Sequence, residues 1–391
     1  MATLRLFEGQ EVTGEYRFGR PTLESRLMRS LSAGAGVKMF GLRRIGKSTL
    51  RQYVIEQLAH QGRPYAFING DVAGSLADVL SALHHALPQP DGLIGTAFGF
   101  FKAGPVGDLI KAITEQRKVD DVALSAYWRS ITRQISENLS KQDVKPVLII
   151  DEFSNLVDKI IRHGGEAGLK DAETLLDTLR AWRGQGQGMS MLLTGSVGII
   201  GLARRHGLPI DGLSDLKAID VPELTAAEAR AFVHAATNHD RWTEAHTEAL
   251  MAEVGAYYPS FLVNALLEIG PEDPIPVKDF PALFAQQIRP NHQQDFYEQF
   301  DRRMAALKED GPTLYRPLVL PVLTAVMNAE TAWVQDEWSL PQTVTHDQLS
   351  HVLARMREDG FIIPQEDRDG LQSWCPGSRL VRRWWRRARL A

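Results

Sequence analysis

The sequence predicts an α/β fold: a parallel sheet flanked by helices, then a helical segment, then a small domain of helices closed by a hairpin. Three observations carry this expectation. Through residues 1–224, short apolar runs alternate with amphipathic stretches, the pattern of strand–helix–strand units whose strands pair in parallel. From Thr225 to about residue 300 the texture is helical throughout. Residues 301–391 then read as helices followed by two short strands around a DRDG turn, the outline of a winged helix-turn-helix. Three domains follow, 1–224, 225–300 and 301–391, and a chain of 391 residues is long enough for more than one core.

The elements justify themselves in order. Residues 21–32 space Leu23, Leu27 and Leu31 at helical intervals before AGAG breaks the helix. Val37 to Phe40 read as a short buried strand, and after a glycine-rich turn residues 48–60 are amphipathic again. Residues 64–69 make a second strand ended by Gly70; residues 74–88 and 121–141 look helical, separated by a glycine-rich apolar window at 92–107. Pro146 precedes VLII, an apolar run suited to a strand buried on both faces. A helix over 172–182, a GQGQG turn, a strand over 189–193 and a fifth over 216–221 complete the sheet region. Thr225 with Glu228 three residues later opens a capped helix. Helices near 313–329 and 345–358, then FII and LQSW as strands, end the chain with an arginine-rich tail.

Composition narrows the function classes. Formal net charge is −4, so contact with nucleic acid would need a local basic patch. The single cysteine, Cys375, excludes an internal disulfide and a cysteine metal cluster, which fits a reducing compartment. The start MATLRLFEGQEV lacks the pattern of a secretory signal, and the 92–107 window is short for a bilayer span and interrupted by Lys102 and Pro105. A soluble cytoplasmic protein without membrane partners is expected.

Chemistry concentrates in two motifs. Gly41 to Ser48 match G-x-x-x-x-G-K-[ST] in full, between an apolar strand and an amphipathic helix. Glycines at such positions let backbone N–H groups turn around a phosphate at the positive end of the helix. Gly41, Arg43, Arg44, Ile45, Gly46, Lys47, Ser48 and Thr49 are the candidate nucleotide-binding residues. Lys47 would reach the β- and γ-phosphates, also in catalysis, and the Ser48 hydroxyl would ligate magnesium. The second motif is the VLII strand ending in Asp151-Glu152, at the sheet edge where open α/β folds bind nucleotides. Asp151 would hold magnesium, and Glu152 would orient or deprotonate the attacking water. A third strand ends in Thr194-Gly195-Ser196. Thr194, ahead of Ser196, would sense the γ-phosphate, with a helix cap as the competing role. For a transition-state arginine, Arg204 or Arg205, supplied to a neighbouring subunit, is favoured over Arg43 and Arg44; surface charge is the alternative.

These residues resemble the AAA+ and STAND ATPases, and specifically the archaeal-type ATPase family with its bacterial relatives. The likeness rests on G-x-R-R-x-G-K-S at Gly41 to Ser48, Asp151-Glu152-Phe153 and Thr194-Gly195-Ser196. Phe18-Gly19-Arg20 with Glu24 is similar to the family's entry box, Val221 to Glu228 to the start of its lid, and Tyr258-Pro259 to its proline-containing lid helix. The resemblance implies ATP or ADP with Mg2+ as cofactors, Phe18, Arg20 and Pro259 among the nucleotide contacts, a helical lid, and a C-terminal winged helix. The sequence departs from the common pattern in lacking a sensor asparagine and a clear sensor arginine in the lid.

The C-terminal region leaves alternatives. Between 301 and 378 acidic side chains outnumber basic ones, a poor footprint for phosphate binding. The tail RLVRRWWRRARLA would either bind DNA or an anionic surface, or pack Leu380, Trp384 and Trp385 onto the ATPase core with its arginines solvated; packing is preferred. The leading expectation is therefore an ATP-dependent switch controlling self-association or a partner protein. A DNA-handling AAA+ ATPase and a nucleotide-binding scaffold without turnover are the alternatives.

Overall fold

Four successive side chains, Val147 to Ile150, are completely buried, and such a run needs both faces of its strand covered. The computed structural model describes residues 4–7, 12–86, 121–140, 144–183, 188–209, 213–335, 343–366 and 371–390. The 92–107 window, residues 184–187 of the GQGQG turn and the DRDG turn lie outside these. Two compact units emerge: residues 20–40 with 50–219, and residues 1–19, 41–49 and 220–391.

In the first unit the buried run is β3 (Val147–Asp151), between β2 (Tyr65–Asn69) and β4 (Ser190–Gly195). β1 (Gly36–Phe40) pairs with β4, and β5 (Lys217–Ala218) lies beyond β1. The order β2-β3-β4-β1-β5 is parallel at every pairing. The register sets Asn69 beside Asp151 and Phe40 beside Gly195, so the motif strands end at a shared carboxyl edge. Connecting helices are α1 (Pro21–Ser32), α2 (Lys47–His60), α3 (Leu76–Ala86), α4 (Asp121–Ser140), α5 (Phe153–Arg183) and α6 (Ile199–His206). Trp128 of α4 donates its indole N–H to Thr178 of α5 at 2.8 Å, so the buried ring satisfies its donor where the two helices pack together.

Two elements differ from the sequence expectation. α5 starts at Phe153, well before residue 172, with a break at Gly165 (φ 56°). Phe153, Leu156, Val157, Ile160 and Ile161 are all buried, a helical spacing of three and four residues that the Gly164-Gly165 pair interrupts. β5 is also shorter than the predicted 216–221. Ile219 N–H still bonds Lys38 O at 2.9 Å, but no ladder continues toward Pro222, which lacks an N–H.

The second unit begins with the capping box. Thr225 Oγ1 accepts the Glu228 N–H at 3.1 Å and Glu228 Oε2 accepts the Thr225 N–H at 2.8 Å, opening α7 (Ala226–Ala236). α8 (Glu244–Val254), α9 (Pro259–Ile269) and α10 (Phe280–Leu283) follow. A π-helical stretch, Phe284–Gln293, leads into α11 (Gln294–Asp310); Pro290 inside it has no N–H to give a regular helix. The single helix predicted near 313–329 is a turn at Pro312–Leu314, a π-helical Tyr315–Val319 holding Pro317, and α12 (Leu320–Asn328). α13 (His346–Glu358), capped by Thr345 and Gln348, precedes an antiparallel hairpin of β7 (Ile362–Glu366) and β8 (Gln372–Pro376), with the unpredicted β6 (Trp333–Val334) beside β8.

The tail forms α14 (Arg379–Leu390). Its Leu380, Val381, Trp384 and Trp385 are buried, and Trp384 stacks near Phe300 and Phe361 while donating to Asp301 Oδ1 at 2.8 Å. The tail therefore packs, but on the core of its own unit, where α11 offers an aromatic surface. Among the described residues no helix is long and apolar enough to cross a membrane.

Candidate functional site

The glycine-rich motif forms the turn between β1 and α2, and α2 begins at Lys47. Gly41 (φ 147°) and Gly46 (φ 100°) occupy backbone conformations that side-chain-bearing residues rarely adopt. Arg44 does so without being glycine, at φ 63°. Leu42 and Ile45 anchor the loop by burial in the second unit's core, while Arg43 and Arg44 stay exposed between them. Lys47 is buried, and its ammonium donates to Leu42 O at 2.7 Å and Gly41 O at 3.1 Å, bridging the loop from within. Ser48 is exposed in the first turn of α2 and Thr49 is half-buried beside it. Two contacts escaped the sequence reading: the Arg43 N–H donates to Gln299 Oε1 at 3.2 Å, and Arg44 pairs with Asp295 at 3.5 Å.

In the first unit, Asp151 ends β3. Its Oδ1 accepts from the hydroxyl of Thr194, which is fully buried, and from the Glu152 N–H at 3.1 Å. Its Oδ2 lies 3.3 Å from Arg51 Nε on α2, and the Arg51 guanidinium stacks on Phe67 at 4.6 Å. Glu152 sits at φ 46°, and its Oε2 accepts both the Ser196 N–H and the Ser196 hydroxyl at 2.9 Å. Gly70 makes room for this turn: a Cβ there would lie 2.3 Å from Glu152 O. The structure thus joins Thr194 to Asp151 and Ser196 to Glu152, and it adds Arg51. The spacing of Arg51, one helical turn after Lys47, was the signal available for it.

The remaining candidates lie on other elements. Arg20 caps α1, its N–H on Glu24 Oε1 at 2.8 Å, whereas Phe18 packs edge-on against Phe232 in the other unit. Pro259 is the first residue of α9, after the completely buried Tyr258. Arg204 and Arg205 are exposed in the last turn of α6, where a basic side chain also complements the helix's negative end.

Magnesium takes hard oxygen donors and retains water. Each candidate donor is of this kind taken by itself: Ser48 offers an exposed hydroxyl, and Asp151 a carboxylate whose Oδ2 is engaged only by the Arg51 ion pair among the contacts described.

A family model described as an AAA domain matches residues 32–201. Among solved structures, the chain is similar to the Walker-type ATPase paby2304 of Pyrococcus abyssi, at 16% identity and a TM-score of 0.44, covering 96% of this chain and 98% of that one. It is also similar to the ADP form of the Aeropyrum pernix ORC2 protein, at 16% identity and a TM-score of 0.47, covering 98% and 97%. The Aeropyrum pernix ORC1 protein in complex with DNA matches at 13% identity and a TM-score of 0.41, covering 96% of each chain. No curated protein matches the chain. Likenesses this distant assign no substrate or partner. The family match spans both the glycine loop and the Asp151-Glu152 turn, and the parallel sheet over this region has the P-loop AAA fold.

Proposed function

We propose that the chain binds ATP with magnesium, hydrolyses it slowly, and uses the bound nucleotide as a switch governing self-association or the binding of a partner protein in the cytoplasm. One observation carries the reading. Among the described residues, the non-glycine residues in the left-handed region are Arg44 and Glu152, one in each motif. Such strain costs about 1–3 kcal/mol per residue and collects at functional sites.

In this reading the loop N–H groups and Lys47 would bind the phosphates, and Ser48 and Asp151 would each supply an oxygen donor for magnesium. Magnesium, when bound, supplies charge neutralisation at the phosphates. Arg51 and Thr194 orient Asp151. Glu152 takes the proton of the attacking water while its Oε2 is held by the two Ser196 bonds. Phe18, Arg20 and Pro259 border the nucleotide, and Arg205 acts on a neighbouring copy. A partner protein is favoured over DNA because several tail arginines are already engaged: Arg379 with Glu223, Arg382 with Ala329 O at 2.9 Å, and Arg383 with Val254 O at 2.8 Å.

The test is equilibrium binding of ATP with and without magnesium, comparing the wild type with Lys47→Ala. The reading expects affinity to collapse in the variant. Equal affinity in the two proteins would remove the loop as the binding site.

A further inference from the structure

The phosphate loop is wired to the end of α13 by a chain of polar contacts within the second unit. Gln299, on α11, is its midpoint. One atom, Gln299 Oε1, accepts both the Arg43 N–H of the loop at 3.2 Å and Arg303 Nη2 at 2.9 Å. Arg303 is buried, and its other terminal nitrogen donates to Asp359 O, just past α13. Asp359 is buried in turn, and its carboxylate accepts Arg355 Nε at 2.6 Å, while Arg355 Nη1 reaches Asp310 Oδ2 at 3.0 Å. A second, apolar contact runs parallel to this chain. Gly360 (φ 76°) lies so close to the loop that a Cβ there would sit 2.6 Å from Leu42 Cγ.

Buried guanidinium groups tolerate displacement poorly. Each must keep its acceptors or leave an uncompensated charge out of water. Arg303 and Arg355 therefore fix the end of α13 relative to α11, and Gln299 fixes the loop relative to the same pair. A change in the loop at Arg43 must either break the shared acceptor or move Arg303 with it.

We infer that Gln299 is a positioning residue of the phosphate loop and the joint through which nucleotide occupancy is read at α13 and the hairpin after it. The first half concerns this chain's own residues; the second rests on the ATP-binding reading above. Arg44 of the loop pairs with Asp295, also on α11, at 3.5 Å on the solvent side. Because Asp295 and Gln299 stand four residues apart on α11, one face of that helix presents both contacts.

The test is amide hydrogen exchange by mass spectrometry on the full chain, comparing wild type, Gln299→Leu and Gln299→Glu. The leucine fills the space without an acceptor, and the glutamate restores one. Without nucleotide, Gln299→Leu is expected to speed exchange in both the loop (41–49) and α13 (346–358) by roughly 2- to 10-fold, the equivalent of one hydrogen bond. Gln299→Glu is expected to stay near wild type. Loosening of only one segment, of neither, or equal loosening by the glutamate overturns the positioning role. The second comparison adds saturating ADP or a slowly hydrolysed ATP analogue with magnesium. Nucleotide that protects the loop should shift exchange in α13 of the wild type and fail to do so in Gln299→Leu; an equal shift in both, or none in either, overturns the joint. A wild-type loop left unprotected by saturating nucleotide contradicts the ATP-binding reading instead, and the comparison without nucleotide still decides the role of Gln299.

Discussion

Replacing Arg51 by methionine probes the acid edge of the sheet most informatively. Arg51 Nε and Asp151 Oδ2 are 3.3 Å apart, with side chains 6% and 16% exposed. At an effective dielectric constant of about 20, unit charges at that separation attract by about 5 kcal/mol. Removing one partner of a well-buried pair costs about 3–5 kcal/mol. Asp151 keeps the Thr194 hydroxyl, the Glu152 N–H and some solvent, which brings the expected loss down to about 2 kcal/mol. Methionine preserves the apolar stem beside Phe67, so packing is nearly unchanged. At about 2–4 °C per kcal/mol for a unit of this size, melting in EDTA should fall by roughly 4–8 °C. Scanning calorimetry in EDTA and again with saturating ATP and magnesium reads the effect. If Asp151 is a magnesium ligand, the lost countercharge is replaced on binding, and more than half of the deficit should disappear. An unchanged melting temperature in EDTA would show that the pair contributes nothing. A deficit that persists in full with bound ATP and magnesium would refute Asp151 as the metal's ligand.

Other predictions test the second unit. Burial, outweighing the nearby Arg379, raises the Glu223 carboxyl above its ordinary value of 4.5. A raised folded-state value means that folding favours the protonated form, so this contribution is full below the ordinary value and lost as pH rises through the raised one. Glu223→Gln should match wild type in urea midpoint near pH 4 and exceed it increasingly toward pH 8; a gap independent of pH would contradict this. Trp384→Ala should cost about 3–5 kcal/mol in urea unfolding, because the ring is buried among Phe300 and Phe361. Arg386→Gln, on an exposed side chain, should stay within about 0.5 kcal/mol; a small loss for Trp384→Ala would return the tail to a surface-binding role.

Where periodicity and punctuation were strong, the sequence was legible. The apolar VLII run, the loop between β1 and α2 and the Thr225 capping box all appear where their local chemistry places them. The Asp151 and Thr194 pairing was half legible, since both were read as strand-end residues but their hydrogen bond depends on β3 and β4 lying side by side. The first half of α5 was hidden by Gly164 and Gly165, although its buried spacing is regular. Proline inside a helix was misread in another way: Pro317 turned one predicted helix into a widened, multi-part element. Gln299 and Asp295 could not be found from spacing, because they meet the loop from more than 250 positions away. Contacts of that range are set by tertiary packing, which one sequence does not display.

The central claim is ATP hydrolysis through Glu152, and steady-state ATP turnover by the purified chain, with Glu152→Gln alongside, tests it most directly. Running both proteins with and without duplex DNA also separates the switch from the DNA-handling alternative. The account predicts slow turnover that DNA does not change and that the variant loses while still binding ATP. Equal turnover in the two proteins, or none in a wild type saturated with ATP and magnesium, would contradict it.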